Sequence, residues 1–214
     1  MKITSFRVVD DPSAAGAQEI ADELSHTGSR ALALSRGQDV CSHLAAASIA
    51  WESVDLFQVD ERAAADGSED RNVTAITDKL NARIHPMPVS GDLEWGASAY
   101  AATLEKICGS PPVLDVVHLG LGPDGHTASL VPGDPVLDVR DRWVAVTGLY
   151  QGFRRMTLSY PVLDAARCVV IVAAGAEKAR AVAAVRNGET WAPAARLQSP
   201  DVRLIVDAAA AGNE

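Results

Sequence analysis

Short β-branched and aliphatic runs alternate with stretches of helical length along the chain, and few folds accept that rhythm. Ile3–Val9, Ala31–Ser35, Val54–Val59, Leu114–Leu119, Trp143–Thr147, Arg155–Tyr160, Cys168–Ala173 and Val202–Val206 read as strands. Ala17–His26, stopped by Thr27-Gly28, then Val40–Ala50, Asn72–Leu80, Leu93–Cys108 and Gly175–Val185 read as helices. Ile84–Val89 carries two prolines and fits only a sheet edge. Alternation at βαβ spacing predicts an α/β fold, a mostly parallel doubly wound sheet with helices on both faces. Composition agrees: 48% of residues are hydrophobic but only 5% aromatic, so Ala, Val and Leu must build the core. No repeat, low-complexity block or linker interrupts the pattern, and residues 1–214 read as one domain.

Charge and cysteine content narrow the function classes. A net charge of −9 leaves no basic surplus for nucleic acid, although two or three local cations suffice for a small phosphorylated ligand. Cys41, Cys108 and Cys168 are odd in number and form no CxxC pair, which argues against a structural zinc and for reduced, buried thiols. Neither a signal peptide nor an apolar run of membrane-spanning length is present, so the expectation is a soluble cytoplasmic protein with no membrane partner. The oligomeric state stays open.

In a parallel sheet, ligands bind outside the carboxyl ends of the strands. Four such ends carry polar residues here: Ser35-Arg36-Gly37, Asp60-Glu61-Arg62, Gly120–Ser129, and Gly175 followed by Glu177-Lys178. The third, Gly-Leu-Gly-Pro-Asp-Gly-His-Thr-Ala-Ser, is the most informative. Its glycines and proline force an irregular turn, Asp124 and His126 stand two residues apart within it, and Thr127 and Ser129 follow as a helix start would. An acid beside an imidazole at a strand end suits acid–base chemistry. Taken singly, the other pieces have plainer readings: a strand-end Asp-Glu-Arg is ordinarily a solvated ion pair, and a helical lysine such as Lys178 a surface residue. His118, within an apolar strand, reads as a hydrogen-bonded core histidine, and His26, His43 and His85 have no supporting context.

Together these residues resemble the 6-phosphogluconolactonase family, which is related to the glucosamine-6-phosphate isomerases/deaminases. The family pattern Gly-hydrophobic-Gly-Pro-Asp-Gly-His-Thr-Ala-Ser-Leu-x-Pro-Gly runs unbroken from Gly120 to Gly133. Asp60-Glu61-Arg62, Arg155-Met156-Thr157-Leu158 and Gly175-Ala176-Glu177-Lys178-Ala179 match three further motifs, and the order covers about Glu19 to Val206. The Thr127-Ala128-Ser129-Leu130 continuation follows the lactonase rather than the deaminase branch.

The resemblance implies hydrolysis of 6-phosphoglucono-δ-lactone to 6-phosphogluconate in the oxidative pentose phosphate pathway, with no metal or organic cofactor. It implies His126 as general base, oriented by Asp124 or Glu61, with Asp60 polarising a substrate hydroxyl. Arg62 and backbone N–H groups near Gly120 and Gly122 would stabilise the oxyanion. Arg155 and Lys178 would hold the phosphate, and Ser35, Arg36, Gly37 and Asn72 would complete the substrate site.

Two departures stand out. The usual Ser-Gly-Gly-Ser-Thr-Pro phosphate loop reads Ser35-Arg36-Gly37-Gln38-Asp39-Val40, and Arg71-Asn72 replaces Ser-Asn. Arg36 would add a cation to the phosphate site and Asp39 would oppose it. The alternatives are therefore action on another sugar phosphate or sugar lactone, including deaminase-like chemistry, or a sugar-phosphate-binding relative with little activity.

Overall fold

The structure, a computed structural model, describes residues 2–26, 31–37 and 39–212. The expected helix stop at Thr27-Gly28 and Gln38 of the first loop lie outside the described residues. In chain order the elements are β1 (Ser5–Val8), α1 (Pro12–His26), β2 (Ala31–Leu34), α2 (Val40–Ala45), β3 (Asp55–Gln58), β4 (Asp60–Arg62), α3 (Asn72–Thr77) and β5 (Arg83–His85). They continue with α4 (Leu93–Cys108), β6 (Val116–Gly120), β7 (Val144–Val146), β8 (Arg155–Leu158), α5 (Tyr160–Ala165), β9 (Cys168–Ala173), α6 (Ala179–Asn187) and β10 (Val202–Val206).

Seven strands form a parallel sheet in the order β1-β10-β9-β6-β2-β3-β5. Its central strands are apolar on both faces because helices cover both. On one face Val117 and Leu119 of β6 join Leu93, Ala97, Tyr100 and Leu104 of α4 and Val182 and Val185 of α6. On the other, Val116, Val170 and Val172 join Ile20 and Leu24 of α1, Val40 and Leu44 of α2 and Ile76 of α3. The spacing of the α4 residues places them on one side of a helix, and Asp92 caps its start by accepting from the backbone N–H groups of Glu94 and Trp95.

The strand order sets where a ligand can enter. From β2 the chain steps outward to β3 and β5; it then returns to β6, on the other side of β2, and steps outward to β9 and β10. The order reverses between β2 and β6, and the crevice outside their carboxyl ends is the natural binding place. Ser35–Gly37 and Gly120–His126 flank that crevice.

The structure departs from the sequence reading in several places: the helix expected over Val40–Ala50 ends at Ala45, and that over Gly175–Val185 begins as a 3₁₀ turn and is α-helical only from Ala179. Asp60-Glu61-Arg62 is not a solvated strand end but a strand of its own, β4, which forms a second, three-stranded antiparallel sheet with β8 and β7. The chain crosses from one sheet to the other at Val59, whose N–H donates to Leu34 O at 3.1 Å and whose carbonyl accepts from Leu158 N at 2.8 Å. The run Arg155–Tyr160 is shortened as well, since Tyr160 and Pro161 open α5. Thr127 and Ser129 begin no helix; both are fully buried and spend their hydroxyls on inward hydrogen bonds.

His118 is fully buried on the same face of β6 as Val116, as a core histidine; among the described residues neither ring nitrogen makes a well-formed hydrogen bond, although the Ser35 backbone acts on the ring. Burial pushes its pKa down to about 4, with the Ser35 backbone opposing the shift. The folded protein therefore resists the proton that the unfolded chain accepts near pH 6.5, and stability present above that pH is lost as pH falls toward 4. Thermal unfolding between pH 7 and 4 is expected to show a loss of about 3 kcal/mol from this group. His118→Leu flattens that segment of the profile; an unchanged slope would assign the loss elsewhere.

Candidate active site

The crevice is an open cleft of about 200 Å³. It is lined by Ser35, Arg36, Gly37, Asp60, Arg62, Asn72, Gly120, Leu121, Gly122, His126, Ala128, Gln151, Arg155 and Lys178. Every sequence-predicted residue except Asp124 and Glu61 is therefore in its wall.

The turn after β6 holds the imidazole. Gly122 N–H donates to His126 O at 2.8 Å and Gly125 N–H to Gly122 O at 2.9 Å, folding the loop back on itself. A Cβ on Gly122 would come within 2.0 Å of His126 Nδ1, so only glycine lets the ring lie there. Thr127 Oγ1 donates to Gly120 O at 2.8 Å and closes the loop against the strand. These bonds correct one expectation, because the Gly122 N–H is committed to the turn and is not available to an oxyanion.

Asp124 stands behind His126. Its Oδ1 lies 2.5 Å from Nδ1 and 3.2 Å from the backbone N of His126. Burial works against its charge, but the hydrogen bonds from His126 and Tyr150 hold its pKa below the ordinary value. An ionised carboxylate only accepts, so Nδ1 carries the proton and Nε2 is left as the basic nitrogen. The acid in contact with the imidazole is thus Asp124.

Glu61 cannot share that role. Successive residues of a strand face opposite ways, so in β4 Asp60 and Arg62 face the cleft while Glu61 turns away and is fully buried. Its carboxylate accepts from the backbone N–H groups of Arg62, Asn72 and Val73 and from Gln58 Nε2, all within 3.0 Å, and pairs with Arg71 Nε at 3.2 Å. It fastens the start of α3 to β4. The unusual Arg71 has the same explanation: buried beside Glu61, it also reaches Asp66 at 2.7 Å.

Asp60 projects into the cleft, accepting from Ser129 Oγ at 2.6 Å and from Asn72 Nδ2 at 3.2 Å, with Arg155 Nη1 4.0 Å away. Burial raises its pKa, against the opposing effects of Ser129 and Arg155. Asn72 reaches the cleft chiefly as a support for Asp60.

Arg62 and Arg155 are register partners across the β4–β8 ladder, and like charges there repel. Each has a buried Nε without a hydrogen-bond partner among the described residues. Both residues line the cleft, and the two adjacent guanidiniums make that part of its wall cationic. Arg36 extends the cationic wall, braced by its bond to Glu69 O at 2.7 Å. Asp39 does not oppose it: it is absent from the cleft lining and pairs with Lys79 at 3.0 Å, and its bonds to Ser42 and Lys79 lower its pKa.

Sequence reasoning missed Tyr150, Gln151 and the special backbone of Ala128. Among the described residues, Ala128 (φ 49°) and Gln151 (φ 50°) are the non-glycine residues with left-handed backbone, and both line the cleft. Such strain concentrates at functional sites. The glycines at 148 and 152 bracketing Tyr150 are the signal that marks this turn.

The fold and site define an α/β protein whose switch-point cleft brings an acid–histidine pair beside a cluster of arginines and a lysine. The sequence profile of the family described as glucosamine-6-phosphate isomerases/6-phosphogluconolactonase matches residues 7–206. The chain is 36% identical over 201 residues to the 6-phosphogluconolactonase of Synechocystis, covering 87% of this chain and 81% of that protein. It is 35% identical over 224 residues to that of Streptomyces coelicolor, covering 90% and 85%. The solved 6-phosphogluconolactonase of Trypanosoma brucei superposes with a TM-score of 0.83 at 25% identity, over 99% of this chain and 98% of that one. The chain belongs to the glucosamine-6-phosphate isomerase/6-phosphogluconolactonase family.

Proposed function

We propose that the chain is a 6-phosphogluconolactonase, hydrolysing 6-phosphoglucono-δ-lactone to 6-phosphogluconate in the oxidative pentose phosphate pathway. The observation that carries the reading is the Asp124–His126 pair, held against one wall of a cleft whose other walls are cationic. His126 Nε2 takes a proton from water as the water attacks the lactone carbonyl. Arg62 stabilises the oxyanion that forms. The imidazolium, its charge balanced by Asp124, then returns the proton to the ring oxygen as the acyl C–O bond breaks. Asp60, held by Ser129 and Asn72, orients a sugar hydroxyl. Arg155 and Lys178 anchor the phosphate, with Arg36, Ser35 and Gly37 forming the loop beside it.

The family also contains isomerases, and action on another sugar phosphate is the second reading. The Thr127-Ala128-Ser129-Leu130 continuation, which resembles the lactonase branch, favours the first. The protein is proposed to act as one sugar-phosphate lactonase-like domain over residues 1–214. The cytoplasm is the compartment proposed for it, in keeping with the free thiols of Cys41, Cys108 and Cys168. Among the described residues no helix is long and apolar enough to cross a membrane.

Substrate breadth tests the phosphate half of the site. Phosphorylated gluconolactone is expected to exceed the unphosphorylated lactone in kcat/KM by about 100-fold, the worth of one well-formed charged contact set. Arg155→Ala is expected to erase most of that preference through KM. Equal activity on the two lactones in the unaltered protein would remove phosphate recognition from the account.

A further inference from the structure

Tyr150 is not part of any motif that the family resemblance supplies, yet it touches both halves of the site. It lies in a two-residue reverse turn: Tyr150 and Phe153 exchange backbone hydrogen bonds of 2.9 and 3.2 Å, with Gln151 and Gly152 at φ 50° and 83° between them. Positive φ at both central positions is the hairpin geometry that matches strand twist, so the tyrosine is presented from a fixed turn.

Its hydroxyl is 3.1 Å from Asp124 Oδ2 and 3.4 Å from His126 Nδ1. Burial, with Asp124 adding to it, raises the phenol pKa, so the hydroxyl keeps its proton and donates to the carboxylate. Asp124 is thereby held at both oxygens, by His126 through Oδ1 and by Tyr150 through Oδ2. The ring meets the His126 ring edge-on, with centroids 5.4 Å apart at 65°. The Arg155 guanidinium carbon sits 5.0 Å from the centroid of the same ring, and Arg155 Nη2 donates to Gln151 Oε1 at 3.1 Å.

We propose that Tyr150 is a positioning residue with two separable tasks: its hydroxyl fixes Asp124, and through it the His126 tautomer, while its ring holds Arg155 in the anion site. The proposal deepens the lactonase reading and rests on it. A carboxylate free to rotate no longer enforces the Nδ1–H form, and the supply of basic Nε2 falls. A guanidinium without its aromatic platform loses its aim, and anion affinity falls.

The test compares Tyr150→Phe with Tyr150→Leu. The phenylalanine variant keeps the ring and removes one hydrogen bond to a charged group, so kcat is expected to fall about 10-fold with KM within twofold. The leucine variant loses the ring too, and KM is expected to rise about 10-fold further. Nitrogen-15 NMR of the His126 ring supplies a readout independent of turnover. It is expected to show Nδ1–H in the unaltered protein and a mixture of tautomers in Tyr150→Phe. Unmoved His126 nitrogens in the phenylalanine variant, an unchanged kcat, or a loss confined to KM would each overturn the proposal. An unaltered protein that fails to hydrolyse the lactone would instead refute the lactonase reading. The NMR comparison, with calorimetry of 6-phosphogluconate binding to both variants, would still decide the roles of Tyr150.

Discussion

Replacing His126 with alanine is expected to lower kcat about 10³-fold while the Kd for 6-phosphogluconate stays within about threefold. The size follows from the role. Water attacks an ester carbonyl slowly unless a base removes its proton, and His126 Nε2 is the basic nitrogen that the cleft presents once Asp124 holds Nδ1. Binding is expected to survive because the proposed anchors of the phosphate, Arg155, Lys178 and Arg36, lie in other parts of the wall. Steady-state kinetics with the spontaneous opening of the lactone subtracted, and calorimetry with the product, measure the two quantities. A large loss of affinity with turnover intact would mean that His126 binds the ligand and activates nothing.

Glu61→Gln is expected to cost about 3–5 kcal/mol of stability, because it takes the buried countercharge from the Arg71 guanidinium, leaving only the exposed Asp66, and replaces the carboxylate that accepts from Gln58 and three backbone N–H groups. For a chain of this size that corresponds to a fall in Tm of about 10 °C. Below the transition, kcat and KM are expected to stay within about threefold of the unaltered protein, since Glu61 faces away from the cleft and touches neither Asp124 nor His126. Calorimetric unfolding and steady-state kinetics on the same preparation separate the two effects. A variant that melts normally but has lost turnover would return Glu61 to the catalytic group and would contradict the alternation of β4. The neighbouring Asp60 and Arg62 serve as internal contrast, for they share the strand and face the cleft.

The contrast between Asp60 and Glu61 shows where a sequence is readable and where it is not. The parallel sheet was legible because its strands are short, β-branched and separated by helical spacing, and period alone distinguishes them. The His126 turn was legible because glycine, acid and imidazole at fixed offsets serve few purposes other than chemistry. The Asp60–Arg62 triplet reads as a solvated strand end because it has no apolar alternation; its pairing to β8 is a long-range event that no local pattern encodes. Without that pairing, Asp60 and Glu61 are equivalent acids, and the sheet alone decides which one meets the ligand. Thr127 and Ser129 misled in the same way: both are common helix starters, but here buried acceptors, Gly120 O and Asp60, outcompete a cap.

Tyr150 was illegible for a different reason. An aromatic residue between glycines in a loop carries no chemical signature until its neighbours are known. Its partners, Asp124 and Arg155, come from separate segments that only the folded chain brings together. The departures at Arg36 and Arg71 were visible in the sequence as anomalies but not as solutions. Arg71 answers a buried carboxylate, and Arg36 is braced by a backbone carbonyl at the cleft edge.

The most direct test is the initial rate of 6-phosphoglucono-δ-lactone hydrolysis, with the spontaneous rate in buffer subtracted, for the unaltered protein beside His126→Ala. The unaltered protein is expected to run far above the buffer rate and to saturate with substrate, and the variant to stay close to the buffer rate although it still binds 6-phosphogluconate. An unaltered protein that adds nothing to the spontaneous rate would refute lactonase activity, and a variant that matches the unaltered protein in turnover would refute His126 as the base.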